Sequence, residues 1–274
     1  MKPRALVLSG YGINCERETA HTLRLAGAEA EIVHFSELLY GEKHLRDYHL
    51  LCFPGGFLDG DHLGAAQAAA HRLRHARVVG SGERLLDQIL EFIEAGKLVI
   101  GICNGFQLLV KLGLLPALGG RYGERRVSLT YNDSGRFEDR WVWLRVNPDS
   151  PCVFTRGLSG LLYFPVRHGE GKFVAQDEDV LRELFRKGQI VLQYAHPQTG
   201  RPTQEYPFNP NGSVEAVAGI CDPTGRIFGL MPHPEAFNHF TNHPRWTREQ
   251  LPPETPGLKL FKNAVAYLRE TLLS

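Results

Sequence analysis

A chain of 274 residues, 43% hydrophobic and 22% charged, has ordinary globular composition and material for one large core or two small ones. A formal net charge of +1 gives no field strong enough to argue for nucleic acid or an anionic membrane surface. Five scattered cysteines, Cys15, Cys52, Cys103, Cys152 and Cys221, form no C-x-x-C pair and no disulfide spacing, which fits reduced thiols in the cytoplasm. The opening MKPRALVLSG lacks signal-peptide features, and no apolar stretch reaches the roughly 18 residues of a membrane span.

Taken in chain order, Ala5–Ser9 predicts a buried strand, followed by a helix from about Glu16 to Ala26 that stops at Gly27. Glu31–Phe35 and His49–Phe53 predict two more strands, the latter ending at the Pro54-Gly55-Gly56 turn. A helix from about Glu83 to Ala95 stops at Gly96, and Lys97–Ile102 predicts a fourth strand, followed by a helix over Phe106–Leu112. This alternation predicts an α/β, flavodoxin-like fold with a mainly parallel sheet between helices. The second half reads differently. Trp141–Val146 alternates, and Val214–Cys221 and Arg226–Met231 flank the turn sequence Asp222-Pro223-Thr224-Gly225, which predicts antiparallel strands added to the sheet. Pro197–Gly212 reads as a loop, and an amphipathic helix is predicted from about Leu258 to Leu273. No repeat or linker divides the chain, so residues 1–274 read as one domain with a C-terminal tail from about residue 236.

The strongest local signal is Gly101-Ile102-Cys103-Asn104-Gly105, a G-x-C-x-G at a strand-to-helix joint. This is the cysteine form of a nucleophile elbow, with glycines where neighbouring backbone must pass close by. A thiol at a helix N-terminus is favoured as thiolate by the helix dipole. Such a nucleophile needs a base and a group to orient it, and Pro232-His233-Pro234-Glu235 offers both if the segment is extended. Pro54-Gly55-Gly56 ends a buried strand on the same side of the sheet, where its backbone N–H groups can meet an oxyanion beside that of Asn104.

These three pieces, in this order, resemble the class I glutamine amidotransferases. The sequence is most similar to the family of glutaminase subunits of phosphoribosylformylglycinamidine synthase. That narrower likeness rests on Gly12-Ile13-Asn14-Cys15-Glu16, Pro54-Gly55-Gly56-Phe57 with Gly60-Asp61, and Gly101 through Gln107. It rests further on Asn132 with Ser134-Gly135-Arg136-Phe137, on His168-Gly169-Glu170-Gly171, and on Phe228 through Glu235. Leu58-Asp59 departs from the family's usual Ser-Tyr. The resemblance implies a catalytic triad of Cys103, His233 and Glu235, with glutamine held at Gly55, Gly56, Asn104 and Gln107. It also implies a large synthetase partner and a small accessory subunit, with ATP and magnesium on the synthetase and no cofactor in this chain. The absence of a G-x-x-x-x-G-K-[ST] loop fits that division.

Other signals weigh less. Cys15 also follows a strand and precedes a helix, but it lacks the second flanking glycine and reads as a packing residue. His233, His239 and His243 lack H-E-x-x-H or suitably spaced cysteines, so no metal site is expected, and the histidine-rich stretch reads as surface or interface. The arginines at 121, 125, 126, 136 and 140 read as solvated surface. Two other functions stay open on the residues alone: a free-standing cysteine amidase of the same architecture, and a non-catalytic subunit that has kept the fold.

Overall fold

The computed structural model describes residues 1–273. In chain order it forms β1 (Arg4–Ser9), α1 (Glu16–Leu25), β2 (Glu29–His34), α2 (Phe35–Leu39), β3 (Leu50–Phe53), α3 (Gln67–His75) and α4 (Leu85–Glu94). There follow β4 (Leu98–Ile102), α5 (Asn104–Leu112), β5 (Val127–Thr130), β6 (Glu138–Val146), β7 (Leu161–His168), β8 (Lys172–Ala175) and α6 (Glu178–Arg186). The chain closes with β9 (Ile190–Tyr194), β10 (Val217–Cys221), β11 (Ile227–Leu230) and α7 (Pro256–Thr271).

Nine strands form one sheet in the order β2-β1-β3-β4-β11-β10-β9-β6-β7, and β5 pairs with β8 in a separate ribbon. The first five of that order are mutually parallel, and from β11 to β7 every pairing is antiparallel. The central parallel strands β3 and β4 are buried at every residue, as suits strands covered on both faces, whereas the edge strand β2 carries Glu29, Glu31 and His34 and buries only Val33. One continuous hydrophobic cluster runs from β1 to α7.

The sequence reading holds for the α/β class and for the parallel half, and it needs correction in the second half. The β10–β11 hairpin forms, but β11 lies parallel beside β4 instead of belonging wholly to an antiparallel addition. Its first strand starts at Val217, not Val214, because Glu215 and Ala216 take positive φ and coil into a short 3-10 turn. Strand β7 has no clear strand signal in the sequence because Pro165 interrupts its apolar run. Proline is tolerated there because β7 is the edge of the sheet, where a missing N–H breaks no second ladder. The stretch after residue 236 carries the expected amphipathic helix, α7, which starts two residues earlier than predicted, at Pro256. Leu260, Phe261, Ala264, Val265 and Leu268 of α7 are buried in the common core, and Asn263 donates to the Phe154 and Arg156 carbonyls. His243 is likewise not surface but buried against Trp141, Tyr163 and Phe237. Pro197–Gly212 is a loop as expected, with buried Asn209 and Asn211 tying it down.

The hairpin that aims β11 at the site depends on one carboxylate. Buried Asp222 accepts from Ile227 N at 2.9 Å, Thr224 Oγ1 at 2.7 Å, Thr224 N at 3.2 Å and Tyr122 Oη at 3.2 Å. Asp222→Ala strands these donors and is expected to cost roughly 2–3 kcal/mol, the range for losing hydrogen bonds to a charged group. Asp222→Asn keeps an acceptor and costs less. Urea unfolding midpoints at constant slope measure both, and a loss under about 0.5 kcal/mol for Asp222→Ala would remove the turn from its assigned role.

Candidate active site

Four adjacent parallel strands deliver the site, as expected at the carboxyl ends of an open α/β sheet. β1 runs into residues 10–15, β3 into Pro54–Leu58, β4 into Cys103, and β11 into Met231–Glu235. Cys103 sits between β4 and α5 with φ 52° and ψ −105°, a conformation costing an ordinary residue about 1–3 kcal/mol. The flanking glycines are there for space. A Cβ on Gly101 would stand 2.5 Å from the Gly105 oxygen, and one on Gly105 would stand 1.9 Å from the Phe53 oxygen. Helix α5 begins earlier than its apolar periodicity suggests, at Asn104, whose N–H is therefore one of the uncommitted donors of a helix start.

His233 and Glu235 meet the thiol from β11. The His233 N–H bonds to the Pro165 carbonyl of β7 at 2.8 Å, which fixes the backbone. Strand β11 ends at Leu230, the chain bends at Met231 and Pro232, and His233 has φ −105° and ψ 86°. Pro234 opens a 3-10 turn through Phe237, so the expected extended run ends early, at a position where proline's missing N–H is harmless. The turn still brings Glu235 Oε1 to 2.6 Å from His233 Nδ1, with both side chains buried. Burial disfavours imidazolium, but the Glu235 carboxylate and the neighbouring Cys103 and Cys15 thiols outweigh it and hold the His233 pKa well above the usual histidine value. His233 Nε2 has no hydrogen-bond partner among the described residues.

A cavity of about 310 Å³ opens on these groups, within the lower range of small-molecule sites, roughly 300–1,000 Å³. Cys15, Cys103, His233 and Gly56 form its reacting wall, and Phe57, Phe137, Glu18 and Arg167 form its mouth. A larger hollow of about 550 Å³, between Tyr40, Phe92 and Lys97, contains none of these residues. The Cys103 thiol donates weakly to the Arg167 carbonyl at 3.5 Å. Gly56 has φ 145° and could carry no side chain, since a Cβ would stand 2.6 Å from the Gly12 oxygen. The Gly55 carbonyl accepts from Asn14 N at 3.4 Å and Cys15 N at 3.2 Å, which turns the Gly56 N–H to the other side of that peptide.

Two residues are placed differently from their expected roles. Gln107 does not line the cavity: its Nε2 donates to the Glu170 carbonyl at 2.6 Å and its Oε1 accepts from Asn104 Nδ2. The Asn104 side chain in turn accepts from Leu58 N at 3.0 Å, so the pair braces the loop after β3. Cys15 is buried as expected for packing, but it packs within the site, sharing the cavity wall with Cys103. Burial raises its pKa, and contact with His233 opposes that only in part. Glu18 and Arg167 carried no signal in the sequence. Phe57 and Phe137 lay in motifs without an assigned role, and their rings stand 6.5 Å apart over the mouth.

Residues 2–268 match the family model described as a CobB/CobQ-like glutamine amidotransferase domain. A phosphoribosylformylglycinamidine synthase subunit PurQ from Methanococcus maripaludis is 44% identical over 278 residues, 98% of each chain. The subunit of the same name from Dehalococcoides mccartyi is 45% identical, covering 98% of this chain and 99% of its own. The chain belongs to the PurQ family of glutamine amidotransferases. A solved PurLQS structure from Thermotoga maritima contains a chain 32% identical, with a TM-score of 0.71 and coverage of 98% and 100%.

Behind the cavity of this PurQ-family chain lies a second histidine. His168 is fully enclosed, with Nδ1 3.1 Å from Asn132 Oδ1, and Gly171 is bare because a Cβ there would stand 2.4 Å from the ring. Burial first, and the charge of His233 second, push its pKa down to about 3. Its folded pKa lies below the unfolded value of 6.5, so the unfolded state binds the extra proton between these limits. The resulting stability is therefore complete above pH 6.5 and declines on acidification, by about 1.4 kcal/mol per pH unit within the window. Denaturant unfolding of wild type and His168→Gln between pH 7 and 5 is expected to show a shallower loss in the variant. Equal slopes would mean that His168 is not held neutral.

Proposed function

We propose that this chain hydrolyses glutamine at Cys103 and supplies the ammonia to an ATP-dependent synthetase that aminates formylglycinamide ribonucleotide in purine biosynthesis. The observation that carries the reading is the elbow thiol facing a buried imidazole whose Nδ1 is fixed by a carboxylate, in one cavity of amino-acid size. Cys103 attacks the side-chain amide carbon, and the negative oxygen that forms is held by the Gly56 and Asn104 N–H groups. His233, with Glu235 stabilising its protonated form, gives a proton to the departing nitrogen, and ammonia leaves. Water activated by His233 then cleaves the thioester to release glutamate and restore the thiol. Gln107 acts through Asn104 and Glu170, as a positioning residue. Partners on this reading are a large synthetase, which carries ATP and magnesium, and a small accessory subunit, in keeping with the similarity to a chain of the Thermotoga maritima PurLQS structure. The setting is cytoplasmic, and no helix is long and apolar enough to cross a membrane among the described residues.

Cys103→Ala is expected to abolish glutamine-dependent amination in the assembled complex while leaving ammonium-dependent amination intact. Glutamate release and both amination rates decide this, and a wild-type glutaminase rate in folded Cys103→Ala would end the assignment. Glu235→Gln is expected to be milder than His233→Ala, because one group orients the proton carrier and the other is the carrier.

Coupling to the synthetase has a physical handle in the Gly55–Gly56 peptide. Its orientation is set by the Asn14 and Cys15 N–H groups of a loop on the neighbouring strand β1, so a partner that moves this loop adjusts an oxyanion donor. One such donor is worth roughly 2.7–4 kcal/mol, about a hundredfold to a thousandfold in rate. Glutamate release by the pure chain is expected to rise by that order when synthetase, nucleotide and ribonucleotide substrate are added. A full rate from the chain alone, unchanged by these additions, would favour a free-standing amidase.

A further inference from the structure

The loop that carries Gly56 is fastened at its outer end by charge. This loop runs antiparallel along residues 10–15. Ile13 bridges to Gly56, Phe57 N donates to the Gly12 carbonyl at 2.7 Å, and Asp59 N donates to the Tyr11 carbonyl at 2.9 Å. Asp59 ends this ladder with φ 62°, a left-handed conformation that aspartate and asparagine tolerate better than most residues. Its Oδ2 stands 2.9 Å from Nε of Arg72 on α3, and the Arg72 guanidinium lies 3.9 Å over the Phe35 ring and beside Gly10. The Arg72 N–H is not aligned on that oxygen, so the contact is an ion pair and not a hydrogen bond. Asp59 is only 16% exposed and Arg72 33%, and such partly buried pairs are screened less than open surface ones. Burial raises the Asp59 pKa and the Arg72 charge opposes it, so removing the arginine leaves the carboxylate uncompensated.

We infer that Asp59 and Arg72 are positioning residues for the reaction: their ion pair pins the loop to α3 and so holds the Gly56 N–H where the oxyanion forms. With the pair broken the ladder loses its outer anchor, and the glycine peptide is free to turn out of place. Neither side chain lines the cavity, so glutamine binding is left alone and the loss falls on the chemical step. The catalytic part of this inference rests on the oxyanion role proposed for Gly56, whereas the fastening of the loop does not.

The test compares Asp59→Asn, Arg72→Gln and the double variant with wild type, in complex with saturating synthetase. Asparagine keeps the left-handed backbone, and glutamine keeps part of the stem over Phe35, so each change removes charge first. Each single variant is expected to lower kcat for glutamine hydrolysis by about tenfold, a fraction of the hundredfold or more for an oxyanion donor lost outright, with KM within about twofold. The double variant should be no slower than Arg72→Gln, since losses within a pair that acts as one do not multiply. Ammonium-dependent amination should not change. Hydrogen exchange at the Phe57 and Asp59 amides is read without turnover and should quicken in all three variants, while the β3 amides stay protected and show that the chain is folded. Either single variant decides the matter if the other does not fold. Wild-type exchange at these two amides would overturn the fastening, and losses that multiply would overturn the pairing. Quickened exchange with wild-type kcat would overturn the catalytic role. Quickened exchange in a chain that hydrolyses no glutamine at all refutes the reaction and supports the fastening.

Discussion

The turn that carries Cys103 exists because three pieces of backbone pass one another with no room for a Cβ. Gly101 lies against Gly105, and Gly105 lies against the carbonyl of Phe53, so α5 can start directly over the end of β3. That approach forces Cys103 into positive φ and lifts its thiol out of the sheet into the cavity. It also stacks the start of α5 on the end of β3, from which the Pro54-Gly55-Gly56 turn follows directly. Fill either glycine with a side chain and the strand end, the helix start and the nucleophile all have to move together.

Around this crossing the polar groups form a brace. Asn104 holds the loop after β3 through Leu58, Gln107 holds Asn104 and the Glu170 carbonyl, and the Glu170 carboxylate accepts from Ala65 N at 3.0 Å. Asn132 links the next layer, donating to the Arg136 and His168 carbonyls and accepting from Gly171 N. Buried amides suit this work, because each can donate and accept and none brings a charge that must be compensated. Buried carboxylates occur both at the site, in Glu235 beside His233, and away from it, in Asp222 at the β10–β11 turn and Glu170 against Ala65 N. The final helix closes the arrangement from behind: Gly257 packs so tightly on the turn that bears Glu235 that a Cβ would stand 2.2 Å from the Pro234 oxygen.

Inside the cavity, the state of His233 is decided by its neighbours against its burial. Burial opposes protonation of His233, and the Glu235 carboxylate outweighs it and prepares the ring to carry a proton, while the same enclosure puts a second thiol, Cys15, beside the imidazole. The Cys15 thiol donates to the neighbouring Asn14 side chain at 3.2 Å and also touches His233.

The sequence alone determined the parallel half of the sheet and the elbow, because both rest on local physics. Uninterrupted apolar runs bounded by turn residues suit strands buried on two faces, and glycines two residues either side of a cysteine at a strand end leave few other conformations. His233 and Glu235 were legible for the same reason, being two residues apart in one segment. Tertiary structure decided the rest. Pro165 hid β7, since only sheet order tells an edge strand from a loop, and the parallel placement of β11 follows from β4 being its neighbour rather than from its own residues. Gln107 turned inward because Glu170, 63 positions away, offers it a buried carbonyl. Cys15 read as packing in sequence and stands at the reacting wall because β1, β4 and β11 end side by side. Spacing along a chain records which side chains share a turn; which strands end together depends on packing that no local window contains.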